Sequence, residues 1–375
     1  MPPISRRVLV VLHEETLGGA SISVLRCVPE LERRGWEFAF FAPRPSATFD
    51  RLRELGYAVG GAPRTVAYSL RALRLPPGPR TRLAAIPRQL RDLVRTIRAY
   101  RPAVVHANSM TTIADVLVAR LAGVPAVLHV HEIVGVGLKA SLFRRAASSL
   151  ASEVVAVSSA GADHLTHGTF RPRVVYGGAP SLDEAVAIRD RSPVVVGTIG
   201  VVSRRKGTDL FVEAARLVKA QRTDIEFTLV GAASEPLDAE WASGVLARAE
   251  AVGVSHVDHA DVPAVLGEWD VFALPSRKDP FPVAMLEAMG AGLPVVGAAV
   301  DGIPEQIGDA GVVVAAEDPA ALARSIIELA DAPVAERARL GAAARARVRT
   351  EFTIERQAAG LEQAYLAAIS GGGGG

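Results

Sequence analysis

The segment Val271–Val296, VFALPSRKDPFPVAMLEAMGAGLPVV, predicts the fold of this protein more clearly than any other stretch. It opens with the apolar run Val271–Leu274 and closes with Val295-Val296, as expected of parallel strands that helices cover on both faces. Between them a helix begins near Pro282, because proline is favoured in the first turn of a helix. The segment is therefore a strand–helix–strand unit, which is typical of open α/β sheets.

The same alternation of short apolar runs and longer helical stretches extends along the whole chain. The candidate strands are Val8–Leu12, Glu37–Phe41, Ala103–Ala107, Ala126–Val130, Val154–Val157, Val174–Tyr176, Val194–Ile199, Glu226–Val230, His256–His259, Val271–Leu274, Val295–Val296 and Val312–Val314. An amphipathic helix at about Thr353–Ile369 follows the last strand, where it is able to cross back to the first domain.

A polar bridge rich in glycine and proline, which begins at Gly177-Gly178-Ala179-Pro180, divides the strands into two groups. We therefore predict an α/β protein with two Rossmann-like domains, whose ligands bind at the carboxyl ends of the strands. The predicted parts are a first domain at 1–178, a linker at 179–192, a second domain at 193–350, a C-terminal helix at 351–370 and a disordered glycine tail at 371–375.

The composition argues against several classes of protein. The 375 residues carry 42 Lys and Arg against 40 Asp and Glu, and this balance of +2 disfavours a nucleic-acid binder that relies on bulk charge. Apolar residues make up 49% of the chain, which suffices for a large core. A single cysteine, Cys27, suits a reducing compartment, and no apolar run reaches the length of a membrane span. We therefore expect a cytoplasmic protein, and we assign the apolar run after Arg7 to a strand rather than a signal peptide.

Two acidic residues of the opening segment are placed to bind a polyhydroxyl ligand. Asp279 precedes the predicted helix and Glu287 lies on it, and carboxylates accept paired hydrogen bonds from hydroxyl groups. The free N–H groups at the helix start, near Val283, would bind an anion. A glycosidase acid/base pair is the alternative. Eight helical residues span about 12 Å, which is beyond the roughly 5–9.5 Å of such pairs.

A second candidate site is the loop that follows the predicted strand Val194–Ile199. It carries Arg204-Arg205-Lys206-Gly207 and opens a helix at Thr208–Ala220. Fixed positive charge at such a loop would stabilise a phosphate group, and an exposed basic turn is the alternative. The chain contains neither a G-x-G-x-x-G turn after its first strand nor a Walker sequence, which argues against nicotinamide chemistry and P-loop phosphoryl transfer.

Together these motifs resemble the retaining GT-B glycosyltransferases of family 4, the glycosyl transferases group 1. Asp279 through Glu287 has the family's E-x₇-E spacing with Asp in the first position, and Gly290–Val296 and Gly302–Glu305 resemble its usual continuation. The resemblance implies two domains that face each other across a cleft, the first for an acceptor and the second for a nucleotide-diphosphate sugar. It also implies transfer to a hydroxyl of a small-molecule, glycan or lipid-linked acceptor, without a metal or other cofactor.

The resemblance assigns roles in the second domain. Glu287 corresponds to the acid that binds the ribose, Asp279 to the acid near the donor sugar, and Lys206 to the lysine at the donor pyrophosphate. The family's usual arginine falls on Val201, so Arg205, or else Arg204, is expected to supply that charge. Further donor-binding candidates are Pro282, Val283 and Ala284 at the helix start.

In the first domain, His131 corresponds to the family's histidine near the donor sugar and acceptor, where it would bind a hydroxyl group or help move the acceptor proton. A buried structural histidine is the alternative. His129 is placed on the opposite side of the strand and is the weaker candidate. Gly18 and Gly19 resemble the family's glycine loop and are expected to bind the donor. The candidates for the acceptor site are His106, Asn108, Ser109 and Glu132.

Two other functions remain open at this point, a nucleotide-sugar epimerase or hydrolase of the same architecture and a non-catalytic binding homologue. A basic amphipathic helix is also predicted at Pro87–Pro102, within the arginine-rich region Arg64–Arg101. It indicates either a peripheral contact with an anionic membrane or acceptor, or an ordinary helix with a solvated charged face.

Overall fold

The computed structural model describes residues 5–63, 79–179, 185–233 and 239–371. The chain divides into two compact units. Unit 1 comprises residues 1–177 and 354–375, and unit 2 comprises residues 178–353. The C-terminal helix therefore belongs to the same unit as the N-terminal half of the chain.

The described strands are all parallel to their neighbours. They are β1 (Arg7–Val11), β2 (Glu37–Arg44), β3 (Ala58–Pro63), β4 (Val104–Asn108), β5 (Ala126–Val130), β6 (Glu153–Ala156), β7 (Arg173–Val174), β8 (Val194–Ile199), β9 (Ile225–Val230), β10 (Val254–Val257), β11 (Val271–Leu274), β12 (Val295–Ala298) and β13 (Val312–Val314). The predicted strands are present, four of them (β5, β8, β11 and β13) with the predicted bounds and the others with shifted bounds. β3 was not predicted, because its glycines and alanines lack the β-branched side chains that favour strands.

The helices connect these strands in the alternation that the sequence predicts. They are α1 (Gly19–Arg33), α2 (Ala47–Glu54), α3 (Pro79–Tyr100), α4 (Ile113–Leu121), α5 (Leu138–Leu150), α6 (Ser159–Leu165), α7 (Thr208–Lys219), α8 (Ala239–Ala251), α9 (Val262–Glu268), α10 (Val283–Ala291), α11 (Ile303–Ile307), α12 (Pro319–Asp331), α13 (Val334–Glu351) and α14 (Ile354–Gly371). The basic helix α3 begins earlier than predicted, and residues 64–78 of the arginine-rich region lie outside the described residues.

Among its described residues, unit 1 has seven strands in the order β3-β2-β1-β4-β5-β6-β7. One face of this sheet packs against α1, α2 and α14, and the other face packs against α3, α4 and α5. The C-terminal helix α14 lies on α1, where Tyr365 meets Trp36 edge-on with ring centroids 5.2 Å apart. Both side chains are almost fully buried, so apolar burial holds the helix in unit 1.

The described residues of unit 2 form six strands in the order β10-β9-β8-β11-β12-β13. The strand order reverses between β8 and β11, which are direct neighbours. The loops that follow these two strands therefore leave the same edge of the sheet side by side, and this edge is where α/β sheets bind ligands. The two parallel sheets with their covering helices confirm the predicted fold class.

The predicted linker is in part described, and its described residues pack on unit 2. The N–H of Val186 donates to the carbonyl of Ala291 at 2.7 Å, and the Arg191 guanidinium donates to Asp270 at 3.0 Å. In the described part of the chain, no helix has both the length and the apolar character needed to cross a bilayer.

Candidate functional site

The loops after β8 and β11 are joined by an ion pair. Lys206 Nζ donates to Asp279 Oδ2 at 2.6 Å. The Asp279 side chain is 6% exposed and that of Lys206 14%, so water screens the pair only weakly. Two residues that the sequence assigned to the donor site are thus brought into direct contact.

Glycine is required where the Lys206 loop turns into α7. Gly207 has a φ of +67°, in the left-handed region, and a Cβ at this position would lie 1.9 Å from the carbonyl oxygen of Pro275. Any other side chain would push the two loops apart. Ser203 makes two hydrogen bonds that hold this loop in place. Its N–H donates to Thr208 Oγ1 at 3.2 Å, and its Oγ accepts from the N–H of Lys206 at 3.3 Å.

The structure places Arg205, and not Arg204, beside the acidic residue. Arg205 Nη1 lies 3.8 Å from Asp279 Oδ1 and donates to the carbonyl of Lys278 at 3.2 Å. The Arg204 guanidinium instead lies over the Trp241 ring, 5.0 Å from its centroid. Between the two arginines that the sequence left open, Arg205 is therefore the one in reach of the charge at Asp279. Val201, which stands at the family's arginine position, is exposed.

Arg277 ties the two loops together and was missed by the sequence analysis. Its guanidinium donates twice to Asp209, at 2.6 and 2.9 Å, and once to Glu317 at 2.6 Å, while its N–H donates to the carbonyl of Arg205 at 2.8 Å. Burial opposes ionisation of Asp209, but the hydrogen bonds and charge of Arg277 outweigh it and hold the pKa of Asp209 below its usual range. The arginine lies inside the quoted segment, but its partners are distant in sequence.

Asp279 is held by its neighbours as well as by Lys206. Ser276 Oγ donates to Asp279 Oδ2 at 3.0 Å, and the Asp279 N–H donates to Asp301 Oδ2 at 2.7 Å. Asp301 has a φ of +47°, an uncommon conformation for a residue other than glycine. The carboxylate is thus oriented by fixed partners, which is the arrangement that a ligand-binding group needs.

Helix α10 begins one residue after Pro282, as predicted. The N–H of Leu286 makes a first-turn hydrogen bond with the carbonyl of Pro282 at 3.4 Å. The N–H groups of Val283 and Ala284 come before that bond, so they are free of intrahelical partners and available to an anion. Glu287 lies one turn further along α10 and is partly exposed.

Unit 1 brings the predicted residues of its sheet edge together around His131. His131 Nε2 and Asn108 Oδ1 are 2.7 Å apart. Because an amide oxygen only accepts, Nε2 carries the proton and Nδ1 is left as the hydrogen-bond acceptor. Burial, together with the neighbouring His106 and His13, lowers the pKa of His131 to about 3, so its ring is neutral at physiological pH.

Glu132 and Ser109 are placed by each other. Glu132 accepts from the side chain of Ser109, from the N–H of Met110 at 3.0 Å and from the N–H of His131 at 3.0 Å. The Glu132 carboxylate therefore links the turn that follows β4 to the turn that follows β5. His106, Asn108 and Ser109 have no exposed surface, which differs from the prediction that they line an acceptor cleft. Asn108 contacts His131 and Ser109 contacts Glu132, whereas His106 contacts His129.

His129 lies on the same side of β5 as His131, so its predicted placement was wrong. Side chains two residues apart on a strand project to the same face, and the two imidazole centroids are 4.1 Å apart. His129 Nδ1 and His106 Nε2 are 3.2 Å apart, and His106 Nδ1 lies 2.7 Å from the Tyr365 hydroxyl of α14. This buried chain was missed because Tyr365 is 259 residues from its partner.

The glycine loop before α1 binds an internal carboxylate. The N–H of Gly18 donates to Glu14 Oε2 at 3.1 Å, and Ser21 Oγ donates to the same oxygen. A Cβ at position 18 would lie 2.4 Å from Glu14 Oε1, so a larger residue would require the Glu14 side chain to shift. The N–H of Gly18 is thus paired with Glu14, and Gly19 begins the helix. Among the described residues, no group of three His, Cys, Asp or Glu side chains is placed to hold a metal ion.

Comparison with known families divides the chain at the same place. Residues 17–181 match the family model described as Glycosyltransferase Family 4, and residues 193–332 match the model described as Glycosyl transferases group 1. These two stretches contain unit 1 from its glycine loop to residue 177 and, in unit 2, the loops after β8 and β11 together with α10.

Individual proteins agree with this result. The chain is 38% identical to the glycogen synthase of Mycobacterium tuberculosis over 120 residues, which are 32% of this chain and 29% of that protein. It is 32% identical over 175 residues to a GDP-mannose-dependent monoacylated alpha-(1-6)-phosphatidylinositol monomannoside mannosyltransferase of Corynebacterium glutamicum, covering 44% of this chain and 45% of that enzyme. The chain thus matches less than half the length of these two curated relatives.

The fold agrees with a solved structure over nearly its whole length. HepE of Anabaena, in complex with UDP-glucose, superposes with a TM-score of 0.76 at 19% identity and covers 95% of this chain and 99% of its own. At this identity the likeness establishes the GT-B fold alone.

Proposed function

The chain belongs to the group 1, or family 4, glycosyltransferases, and we propose that it transfers a sugar with retention from a nucleotide-diphosphate sugar to a hydroxyl group of its acceptor. Unit 2 would bind the donor and unit 1 the acceptor. The observation that carries the proposal is the contact between Lys206 and Asp279 beside the start of α10. It brings a cation, a carboxylate and free N–H groups to the edge of one sheet.

Each part of this arrangement fits a part of the donor. Lys206 and Arg205 would bind the diphosphate, together with the N–H groups of Val283 and Ala284, because all of these are positive groups at fixed positions. Glu287, further along α10, would accept hydrogen bonds from the ribose hydroxyls. Asp279 would accept them from the donor sugar. The proposal needs no metal ion, since Lys206, Arg205 and the helix start already offset the charge of the diphosphate.

The chemistry is a substitution at the anomeric carbon. The bond between that carbon and the phosphate oxygen breaks, its electron pair leaves with the nucleotide diphosphate, and the acceptor oxygen bonds to the same face of the carbon. The acceptor's proton passes to the departing phosphate oxygen. Lys206 acts on the charge that grows on this oxygen, so its contribution is largest in the transition state.

His131 would bind a hydroxyl group of the acceptor, which we assign to unit 1. Its Nε2–H is held by Asn108, which leaves Nδ1 as an acceptor in a ring that stays neutral. A neutral hydrogen-bond acceptor is suited to orient a hydroxyl group, because it accepts the hydroxyl proton without being protonated itself.

Several relatives indicate classes of donor and acceptor. HepE binds UDP-glucose, and the Corynebacterium relative is named for GDP-mannose and an acylated phosphatidylinositol mannoside. We propose a nucleotide-diphosphate hexose as the donor and a glycan or lipid-linked hydroxyl as the acceptor. A cytoplasmic reaction is part of the proposal, because the lone buried Cys27 suits a reducing compartment.

A screen with labelled nucleotide sugars tests the function. The proposal expects release of nucleotide that depends on an added acceptor, with the anomeric configuration of the donor kept in the product. Formation of an epimer or of free sugar without acceptor would instead identify an epimerase or hydrolase. Tight donor binding without any turnover would identify a binding protein. Turnover in the presence of EDTA tests the independence from metal.

A further inference from the structure

Helix α5 of unit 1 presents large apolar side chains to solvent. Val136 and Leu138, at its start, are 91% and 77% exposed, and Leu142, one turn later, is 57% exposed. The opposite side of the helix, at Ala147, is buried in the core between α5 and the sheet. Phe143 and Leu150 pack against the same core, so α5 carries apolar side chains on its outer side in addition to its inner one.

The neighbouring helix α4 extends this apolar surface. Its outward residues Leu117 and Leu121 are 40% and 80% exposed. Helices α4 and α5 are in contact, and Arg120 Nη1 donates to the carbonyl of Ser149 at 3.1 Å, which joins the two helices. The exposed leucines of both helices therefore lie on the same side of unit 1, because both helices cover the same side of its sheet.

The charges on this side of the sheet are positive. Helix α3 contacts α4, buries Leu93 and Ile97 in the shared core, and exposes arginine along its outer side. Among residues 88–150, whose burial is described, the exposed cations of these helices are Arg88, Arg91, Arg95, Arg98, Arg120, Lys139 and Arg145.

Acidic residues do not balance these cations. Between residues 88 and 150, all of which are described, the acids are Asp92, Asp115 and Glu132. Asp92 pairs with Arg95, and Asp115 is buried. Glu132 accepts backbone hydrogen bonds at the end of β5. The surface made by the outer sides of α3, α4 and α5, which we call the α3–α5 face, is thus both apolar and cationic.

We propose that the α3–α5 face docks on the surface of an anionic lipid bilayer. Exposed leucines enter the boundary between headgroups and acyl chains, and the surrounding arginines and lysine meet the anionic headgroups. A nucleic acid would match the charge but not the leucines. A second copy of this chain would match the leucines but would set the two cationic surfaces against each other. The bilayer is the partner that satisfies both features.

This docking does not depend on the proposed transferase activity, because it is a property of residues outside the donor site. It is also distinct from a membrane span, since the helices lie along the surface of unit 1 and keep their inner sides in its core. If the acceptor is lipid-linked, docking would bring the enzyme to the surface where that acceptor is found.

Cosedimentation of the full chain with vesicles tests the proposal. We expect the protein to bind vesicles of phosphatidylcholine and phosphatidylglycerol, and to bind those of phosphatidylcholine alone much more weakly. Added salt should weaken the binding. The double variant Leu138→Ser/Leu142→Ser should bind about tenfold more weakly, because it removes apolar surface from the contact. The double variant Lys139→Glu/Arg145→Glu should lose at least about tenfold through charge.

Matched controls lie on the other side of the sheet. Leu55, at the end of α2, is 47% exposed, and Arg53 on α2 is also exposed. Leu55→Ser and Arg53→Glu should leave vesicle binding unchanged. Failure of the parent chain to bind anionic vesicles would overturn the proposal, as would equal losses in the α2 controls. A dimer in sedimentation velocity that is lost in Leu138→Ser/Leu142→Ser, without vesicle binding, would identify a second copy as the occupant and also overturn it.

Discussion

Lys206 Nζ and Asp279 Oδ2 lie 2.6 Å apart although 73 residues separate them in the sequence. The contact exists because β8 and β11 are adjacent strands at the point where the strand order of unit 2 reverses. Asp279 stands at the position of the family's first Glu, and its shorter side chain contacts Lys206 of the neighbouring loop. Without a ligand, the lysine proposed to bind phosphate is already paired with a carboxylate.

Replacing Asp279 with Asn should therefore separate donor binding from turnover. The amide cannot neutralise Lys206, so we expect the affinity for a nucleoside diphosphate to rise by at least about tenfold, the lower value of a hydrogen bond to a charged group. Turnover should fall at least about tenfold, because the proposed acceptor of the donor sugar's hydrogen bonds is weakened. Calorimetry with the nucleotide and steady-state kinetics would measure both effects. If nucleotide affinity and turnover both rise or both fall, Asp279 and phosphate do not compete for Lys206 as proposed.

Substitution of Lys206 tests the phosphate site directly. Lys206→Ala should reduce kcat by about 100-fold, because a cation that acts on the leaving phosphate is lost from the transition state. Lys219→Ala is the matched control, since Lys219 Nζ donates only to the carbonyl of Gly253, at 2.7 Å, among the contacts of described residues. Kinetics of the two variants should differ strongly. Equal losses would show that the loop after β8 is not a phosphate site.

Glu287 is expected to contribute to nucleotide affinity rather than to chemistry. Glu287→Ala should weaken donor binding by about 1–3 kcal/mol through the loss of hydrogen bonds to the ribose. A 2′-deoxy or 3′-deoxy nucleotide should show a smaller penalty in this variant than in the parent chain. Glu240→Ala, on the exposed side of α8, serves as the control. Unchanged nucleotide affinity in Glu287→Ala would rule out the ribose assignment.

The pH dependence of activity tests the state of His131. Its pKa is lowered to about 3, chiefly by burial, so the ring is neutral across the physiological range and protonates only on strong acidification. We therefore expect that titration of His131 does not change kcat between about pH 5 and 8, so the pH profiles of the parent chain and of His131→Phe should have the same shape in this range. The variant itself should lose about 10- to 100-fold in kcat, because a hydrogen-bond acceptor is removed. A step near the usual pKa of histidine that the variant abolishes would show a charged ring in the working enzyme.

Asp115 gives unit 1 a pH-dependent stability that is separate from the active site. Burial raises the pKa of this carboxyl to about 7, and its hydrogen bond with Gln89 opposes the shift only in part. The folded state thus prefers the protonated acid. Protonated Asp115 makes its full contribution to the free energy of unfolding below about pH 4. This contribution decreases as the pH rises above 4 and is lost once the pH has passed 7, a total change of at most about 4 kcal/mol.

The variant Asp115→Asn isolates this effect, because the amide stays neutral at every pH. Chemical denaturation should show it to be more stable than the parent chain at pH 8, and the difference should shrink toward pH 4. Asp163→Asn, at an exposed position of α6, should show no such pattern. A pH-independent difference between the parent chain and Asp115→Asn would mean that the carboxyl is ionised in the folded protein.

Much of the site was predictable because its groups lie close together in sequence. The start of α10 was predicted near Pro282, the carboxylates Asp279 and Glu287 predicted a polyhydroxyl ligand, and the family resemblance implied that this ligand is a nucleotide sugar. The strands other than β3 followed from their apolar runs. These are local signals, since they depend on backbone propensities and on periodicity within one element.

The tertiary structure decided which distant groups meet. Strand order placed Lys206 against Asp279, and Arg277 against Asp209. It also placed Tyr365, from the last helix, beside His106 in the core of unit 1. The sequence by itself determined the elements, the α/β class and the residue types of the site, because periodicity and turn chemistry are local. Pairing, burial and the resulting charge states depend on which strands become neighbours, and that is set by the packing of the whole chain.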